Sequence, residues 1–205
     1  MDRPHISLNF AISADGRITS IAGIRSGWTS PADQARFARL RENADALMVG
    51  RGTLEADRMT LRAPANPLRC VVSSAGRFDP AHPLFHTEGG PIHLLGTTAA
   101  PMEIPGTTGH HGSLADFLRT LRKMGARYLH CEGGGTLVRA LAEMDAIDEI
   151  HLTWAGHRLF GGATAPGITG APGGFFPASQ AYELTCFEPL EKEGECFLSY
   201  RRQRT

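Results

Sequence analysis

Residues 5–13, HISLNFAIS, alternate strictly. Ile6, Leu8, Phe10 and Ile12 fall on one face and Ser7, Asn9, Ala11 and Ser13 on the other, the period of a strand. The following ADG turns the chain. TSPADQARFARLRENA then predicts a helix of about three turns, with Ser30 as N-cap, Pro31 at the first helical position and Asp33 near the cap. Its expected inner side carries Ala35, Phe37, Ala38 and Leu40. ALMV, LRCVVS and PIHLLG are short β-prone runs bounded by Gly, Pro and Ser. SLADFLRTLRKMG predicts a second helix, capped at Ser113 and stopped at Gly125. RYLHC, TLVRALAEM and DEIHLTWA read as strand, helix and strand. HPLFHTEGGP and GTTGHHGS read as polar loops.

Strands and helices alternate to about residue 155, which predicts an α/β fold with a mainly parallel sheet covered on both faces. The rhythm then stops. Residues 156–177 are rich in Gly and Pro and predict an irregular loop long enough to be suspected of function. YELTCFEPL and ECFLSYRR flank EKEG and predict a C-terminal antiparallel hairpin.

Composition narrows the partners. The 205 residues, 41% of them hydrophobic, suit one domain, 1–205. Lys plus Arg and Asp plus Glu balance at 21 each, so no global field recruits nucleic acid or an anionic membrane, and an anionic ligand must be held by local groups. No apolar run approaches the roughly 20 residues of a membrane span. Cys70, Cys131, Cys186 and Cys196 stand far apart and no secretory leader is recognised, so free thiols in a reducing cytoplasm are expected. The nine His residues form no metal-ligand spacing, and no metal is expected.

Two turns carry candidate chemistry. CEGGGTLVRAL places Gly133, Gly134 and Gly135 between a strand and a helix, where exposed N–H groups and the helix dipole favour a phosphate. Close packing in a tight turn is the alternative. MVGRGTLEAD repeats the design, with Gly50 and Gly52 after a strand and Thr53 opening a short helical segment, and two such turns favour a dinucleotide. At a third strand end, Ser73, Ser74 and Arg77 stand where an NAD site would offer an acid; hydroxyls and an arginine suit the 2′-phosphate of NADP. Ser-Ser before Gly is also ordinary turn chemistry.

RPHISLNFAISADGRI, SGWTSP, LRENADALMVGRGTLEAD and LHCEGGGTLVRALAEMDAIDEIHL together resemble, in this order, the reductase domain of the bifunctional riboflavin-biosynthesis deaminase/reductases. The resemblance covers about residues 3–160 and implies a dihydrofolate-reductase-like fold. It also implies a pyrimidine reductase, with NADPH delivering hydride to C1′ of 5-amino-6-(5-phosphoribosylamino)uracil to give the ribitylamino product. Carried over by motif, Ala11, Trp28, Thr53, Asp57, Ser74, Gly134, Gly135 and Thr136 would contact the cofactor. Ser26, Arg41, Arg62 and Glu132 would contact the substrate. ADRMTLRAP is shorter than the family segment and lacks its proline, so Arg58 is an alternative to Arg62.

The implied chemistry asks mainly for orientation of the nicotinamide against C1′. Glu132 would accept hydrogen bonds from the aminopyrimidine, and Asp57 would handle a proton or fix a ribose hydroxyl; these two are the expected catalytic residues. Stabilisation of a helix N-terminus by Glu132 and a capped turn at Asp57 are the alternatives. Arg41 and Arg62 would grip the substrate phosphate in bidentate fashion. No HAE with a later PCxxC occurs, so zinc deaminase activity is not expected. Two other functions remain open: a reductase of the same superfamily with another small heterocyclic or carbonyl substrate, and a non-catalytic NADPH-binding protein. The resemblance further implies a homodimer, with the final hairpin contributing because its edge needs covering.

Overall fold

The computed structural model describes residues 2–19, 28–176 and 178–204. Two compact units interleave along the chain: Met1–His5 with Ala38–Glu132, and Ile6–Phe37 with Gly133–Thr205.

In the first unit, strands β2 (Ala46–Gly50), β3 (Leu68–Ser73), β4 (Ile92–Gly96), β5 (Thr107–His111) and β6 (Tyr128–Cys131) lie in the order β5-β4-β3-β2-β6. Every neighbouring pair is parallel. Ala46, Leu47, Met48 and Val49 are all buried, as expected of a strand covered on both faces. Leu47 and Val49 share a cluster with Leu54, Leu61, Val71, Leu84 and Leu94. Helix α2 (Arg51–Asp57) follows β2 directly, and helix α3 (Leu114–Lys123) precedes β6. α3 begins where the sequence predicts, the Ser113 hydroxyl accepting from the Asp116 N–H, and ends before Gly125 at φ 101°.

The region read as the polar loop GTTGHHGS is instead strand β5. An edge strand hydrogen-bonds on one side only and tolerates a polar face, so TTGHH carries none of the apolar alternation that marks an inner strand. The other expected polar loop contains a short 3-10 turn at Pro83–His86.

In the second unit, β1 (His5–Ser13, entering from the first unit), β7 (Glu149–Ala155), β9 (Glu195–Arg202) and β8 (Tyr182–Leu190) lie in the order β1-β7-β9-β8. β1 and β7 are parallel; β7 with β9 and β9 with β8 are antiparallel, the last pair being the expected hairpin. Helix α4 (Gly135–Glu143) buries Leu137, Val138, Leu141 and Ala142.

Helix α1 (Pro31–Glu42) starts at the predicted residue but buries a different face. Ala35 and Ala38 are exposed, and the buried residues are Asp33 and Arg36. The Arg36 guanidinium donates to the carbonyls of Leu152 (2.7 Å) and Leu198 (2.9 Å), which are register partners on β7 and β9, and to the Ser199 hydroxyl (3.0 Å). It lies 4.6 Å from the centroid of the Phe197 ring. Asp33 accepts from the hydroxyls of Thr153 and Thr29. Glu195 receives both the N–H and the hydroxyl of Ser30 (2.8 and 2.6 Å). Each buried charge is thus met by hydrogen bonds, which is what makes a polar helix face tolerable there.

Candidate active site

Six of the expected residues belong to the first unit. Thr53 and Asp57 lie in α2, whose N-cap Gly50 offers no side-chain hydrogen bond, so the first-turn N–H groups receive no side-chain cap from it. A Cβ at Gly52 would meet nothing within 4 Å. Ser74 stands exposed just beyond β3, as does Arg77. Hydroxyl, guanidinium and amide N–H groups are donor types that a phosphorylated nucleotide can use.

Glu132 follows the last residue of β6, and its N–H continues the ladder to the Met48 carbonyl (2.8 Å). Its carboxylate is fully buried and meets Arg41, which projects from the last turn of α1. Nε and Nη2 of Arg41 each donate at 2.6 Å, one to each oxygen of Glu132. Burial pushes the Glu132 carboxyl above its ordinary value, while the Arg41 guanidinium pulls it down through its hydrogen bonds and its charge. Nη1 of Arg41 reaches the Arg62 carbonyl at 3.4 Å.

The structure therefore brings Arg41, Glu132 and Arg62 together, in an arrangement different from two arginine forks facing one phosphate. Arg41 turns its fork to Glu132 and meets Arg62 through the main chain, while Arg62 is itself exposed. Arg58 and Leu61 both adopt φ 51°. Leu61 is fully buried, so a bulky side chain is held in the left-handed region by the core around it.

Ala11, Trp28, Gly134, Gly135 and Thr136 belong to the second unit; Ser26 lies outside the described residues. Ala11 sits on β1 opposite Thr153. Trp28 meets the Phe160 ring edge to face at 4.9 Å. At the glycine turn, close packing is observed. A Cβ on Gly133 (φ 99°) would stand 3.1 Å from the Phe10 ring, and one on Gly135 would stand 2.2 Å from the Cα and N of Gly170. The same turn keeps donors for a phosphate: Gly134 caps α4 without a side-chain hydrogen bond, and Thr136 is exposed.

Gly170 belongs to the long loop, where it forms a bridge with Gly167. The turn after β1 holds this loop. Asp15 accepts from the N–H groups of Phe160 (3.2 Å) and Gly161 (2.7 Å), and Arg17 donates to the Ala165 carbonyl (2.8 Å). The Ser13 hydroxyl, aided by those N–H groups, brings the Asp15 carboxyl down to about 2 against the effect of burial.

Sequence reasoning missed the Asp33–Thr153 and Arg36 contacts, whose partners lie more than a hundred residues away. The available signal was the placement of Asp33 and Arg36 three apart on α1. Among the described residues no cluster of metal-ligating side chains is found, and no helix is long and apolar enough to cross a membrane.

Residues 4–178 match the family described as the RibD C-terminal domain. The chain belongs to that family. It is 29% identical, over 95% of its own length and 96% of the relative's, to the 2,5-diamino-6-ribosylamino-4(3H)-pyrimidinone 5′-phosphate reductase of Archaeoglobus fulgidus. Among solved structures, Acinetobacter baumannii RibD superposes with a TM-score of 0.82 at 21% identity, over 100% of this chain and 59% of that one. Dihydrofolate reductase from Enterococcus faecalis, solved with NADP(H), superposes with a TM-score of 0.56 at 17% identity over 98% of this chain and 97% of that one. The chain thus spans less than two thirds of the RibD protein and nearly all of the archaeal reductase. The expected family, reductase class and dihydrofolate-reductase-like fold agree with these matches.

Proposed function

We propose that this RibD C-terminal domain protein reduces a ribosylamino-pyrimidine 5′-phosphate to its ribityl product with NADPH. The observation that carries this reading is the buried Glu132 carboxylate, locked by Arg41 at the end of β6 and immediately followed by the glycine turn. A fixed carboxylate suits the N–H donors of an aminopyrimidine. NADPH, when bound, supplies the hydride for C1′. In the first unit, Ser74 and Arg77 would meet the adenosine 2′-phosphate, Thr53 and Asp57 the nicotinamide and its ribose, and Arg62 the substrate phosphate. In the second, the N–H groups at Gly134, Gly135 and Thr136 would hold the pyrophosphate, and Ala11 and Trp28 would lie along the cofactor.

The name of the archaeal relative favours the 2,5-diamino-pyrimidinone form of the substrate; the deaminated uracil is the other form of the same class. We read residues 1–205 as one reductase domain, because neither compact unit is continuous in sequence and no single cut would release one. We also read the protein as a cytoplasmic homodimer. β8 lies at the edge of its sheet with Leu184 and Phe187 exposed, and a second copy would cover it.

A second reading is favoured by the use of Arg41 on Glu132: a reductase of this fold whose heterocyclic substrate carries no phosphate. Turnover with deuterium-labelled NADPH separates the two. One deuterium at C1′ of a ribityl phosphate supports the first reading; reduction of the dephosphorylated pyrimidine at equal efficiency supports the second.

A further inference from the structure

We propose that Asp15 is a positioning residue of the cofactor site, fastening the loop after β7 so that the loop holds Trp28 at one end and the first turn of α4 at the other. The proposal rests on the cofactor half of the reading above, in which Trp28 and the N–H groups at Gly134, Gly135 and Thr136 contact NADPH.

The turn after β1 and the loop after β7 run side by side and meet in matching order. The Ala14 N–H donates to the Arg158 carbonyl (2.8 Å), and the Asp15 carboxylate accepts from the N–H groups of Phe160 (3.2 Å) and Gly161 (2.7 Å). Further along, Nη1 of Arg17 donates to the Ala165 carbonyl (2.8 Å) and the Ile18 N–H to the Pro166 carbonyl (3.1 Å). The contacts of Ala14 and Ile18 run from main chain to main chain and are open to any side chain. Asp15 is where a carboxylate sets the path of the loop.

Asp15 is exposed, so its charge adds little to global stability. Its effect is on local orientation. Oδ1 takes the Phe160 N–H and Oδ2 the Gly161 N–H, while the Ser13 hydroxyl donates to Oδ1 at 2.6 Å and fixes the carboxylate itself. Two successive N–H groups directed at one carboxylate define how the backbone runs there, and so which side chain turns inward. Leu159 is 78% exposed, whereas the Phe160 ring meets Trp28 edge to face at 4.9 Å.

The far end of the same loop lies on α4. Gly167 and Gly170 form a bridge, and Gly170 approaches Gly135, the first residue of α4, as closely as two glycines allow. A displaced loop is therefore felt at both ends. A cofactor that touches Trp28 and the α4 turn binds more tightly when the loop is already ordered. By reciprocity, the bound cofactor must tighten the loop by the same factor.

The test uses Asp15→Ala and Asp15→Asn in a Trp154→Phe background. Trp154 is exposed on β7, and its replacement leaves Trp28 as the single tryptophan. Three quantities are measured with no pyrimidine present: the NADPH dissociation constant by calorimetry, acrylamide quenching of Trp28, and hydrogen exchange at residues 160 and 161 with and without NADPH. Asp15→Ala is expected to weaken NADPH binding roughly tenfold and to raise quenching of Trp28 roughly twofold. With Asp15 in place, NADPH is expected to slow exchange at residues 160 and 161 about tenfold. Asp15→Asn keeps one acceptor oxygen and loses the charge, so it is expected to weaken NADPH binding roughly threefold; it also serves if Asp15→Ala does not fold.

NADPH affinity within about twofold of the parent in the folded variants, or exchange at residues 160 and 161 that ignores NADPH, would overturn the proposal and leave Asp15 as a tie of the loop alone. The reductase reading is judged separately. If the unaltered protein binds NADPH and turns over neither pyrimidine phosphate, the substrate assignment fails while the three measurements still decide the role of Asp15. If the unaltered protein binds no NADPH, both fall.

Discussion

A Cβ on Gly135 would stand 2.2 Å from both the Cα and the N of Gly170, so the first residue of α4 and the long loop approach each other as only two glycines can. Gly135→Ala must push backbone against backbone. It is expected to destabilise the protein by about 1–3 kcal/mol, the usual cost of overpacking, and to speed hydrogen exchange at residues 167–170. Gly52→Ala is the internal contrast. It lies inside α2 with open space where its Cβ would stand, and is expected to stabilise by about 0.5–1 kcal/mol. Urea unfolding of the two variants checks both signs.

How much of this was legible depends on the range of the interactions involved. α3 was readable because its cap, stop and apolar stripe all lie within thirteen residues, Ser113 to Gly125. β1 was readable because alternation is local, and the hairpin because EKEG separates two strand-like runs. The inner face of α1 was not, since the partners of Arg36 and Asp33 come from β7 and β9 and a buried arginine is indistinguishable in sequence from a solvated one. β5 was hidden by its edge position. At the site, the motifs located Glu132 and Arg41 separately, and the 2.6 Å contacts across 91 positions of sequence came only with the structure.

The buried polar face of α1 carries its own expectation. Asp33→Ala removes the acceptor of the fully buried Thr153 hydroxyl and of Thr29, and should cost about 1–3 kcal/mol. Asp33→Asn keeps one carbonyl oxygen and should cost less. Denaturant midpoints of the two variants at neutral pH measure the difference.

Acid should weaken the first unit through two imidazoles. Nδ1 of His93 on β4 lies 3.0 Å from Nε2 of His110 on β5, and His110 packs against the Phe117 ring at 4.9 Å. Burial lowers both groups below the ordinary imidazole value of 6.5, and the charge of His110 lowers His93 further. The unfolded chain therefore binds more protons than the native one at mildly acidic pH. Stability is fully present above 6.5 and is lost as pH falls below it toward the depressed native values. The urea midpoint is expected to drop between pH 7 and pH 5, and His110→Gln should flatten that drop.

Cofactor choice tests the end of β3. Ser74 and Arg77 are exposed there, and the sequence from Arg69 to Phe78 has no acid that would favour an unphosphorylated ribose. Loss of one charge-assisted contact to a 2′-phosphate removes about 1.5–3 kcal/mol, so Arg77→Ala should raise KM for NADPH roughly 10- to 100-fold. KM for NADH should stay within about twofold. Parallel assays with the two cofactors give the ratio.

The most direct measurement follows NADPH absorbance after addition of the diamino-pyrimidinone ribosyl phosphate or its deaminated uracil counterpart, with NADH and dihydrofolate run alongside. The predicted result is oxidation of NADPH with one or both pyrimidine phosphates and none with dihydrofolate. Binding of NADPH with no consumption by either pyrimidine phosphate would contradict a pyrimidine reductase, while leaving the fold and the cofactor site in place.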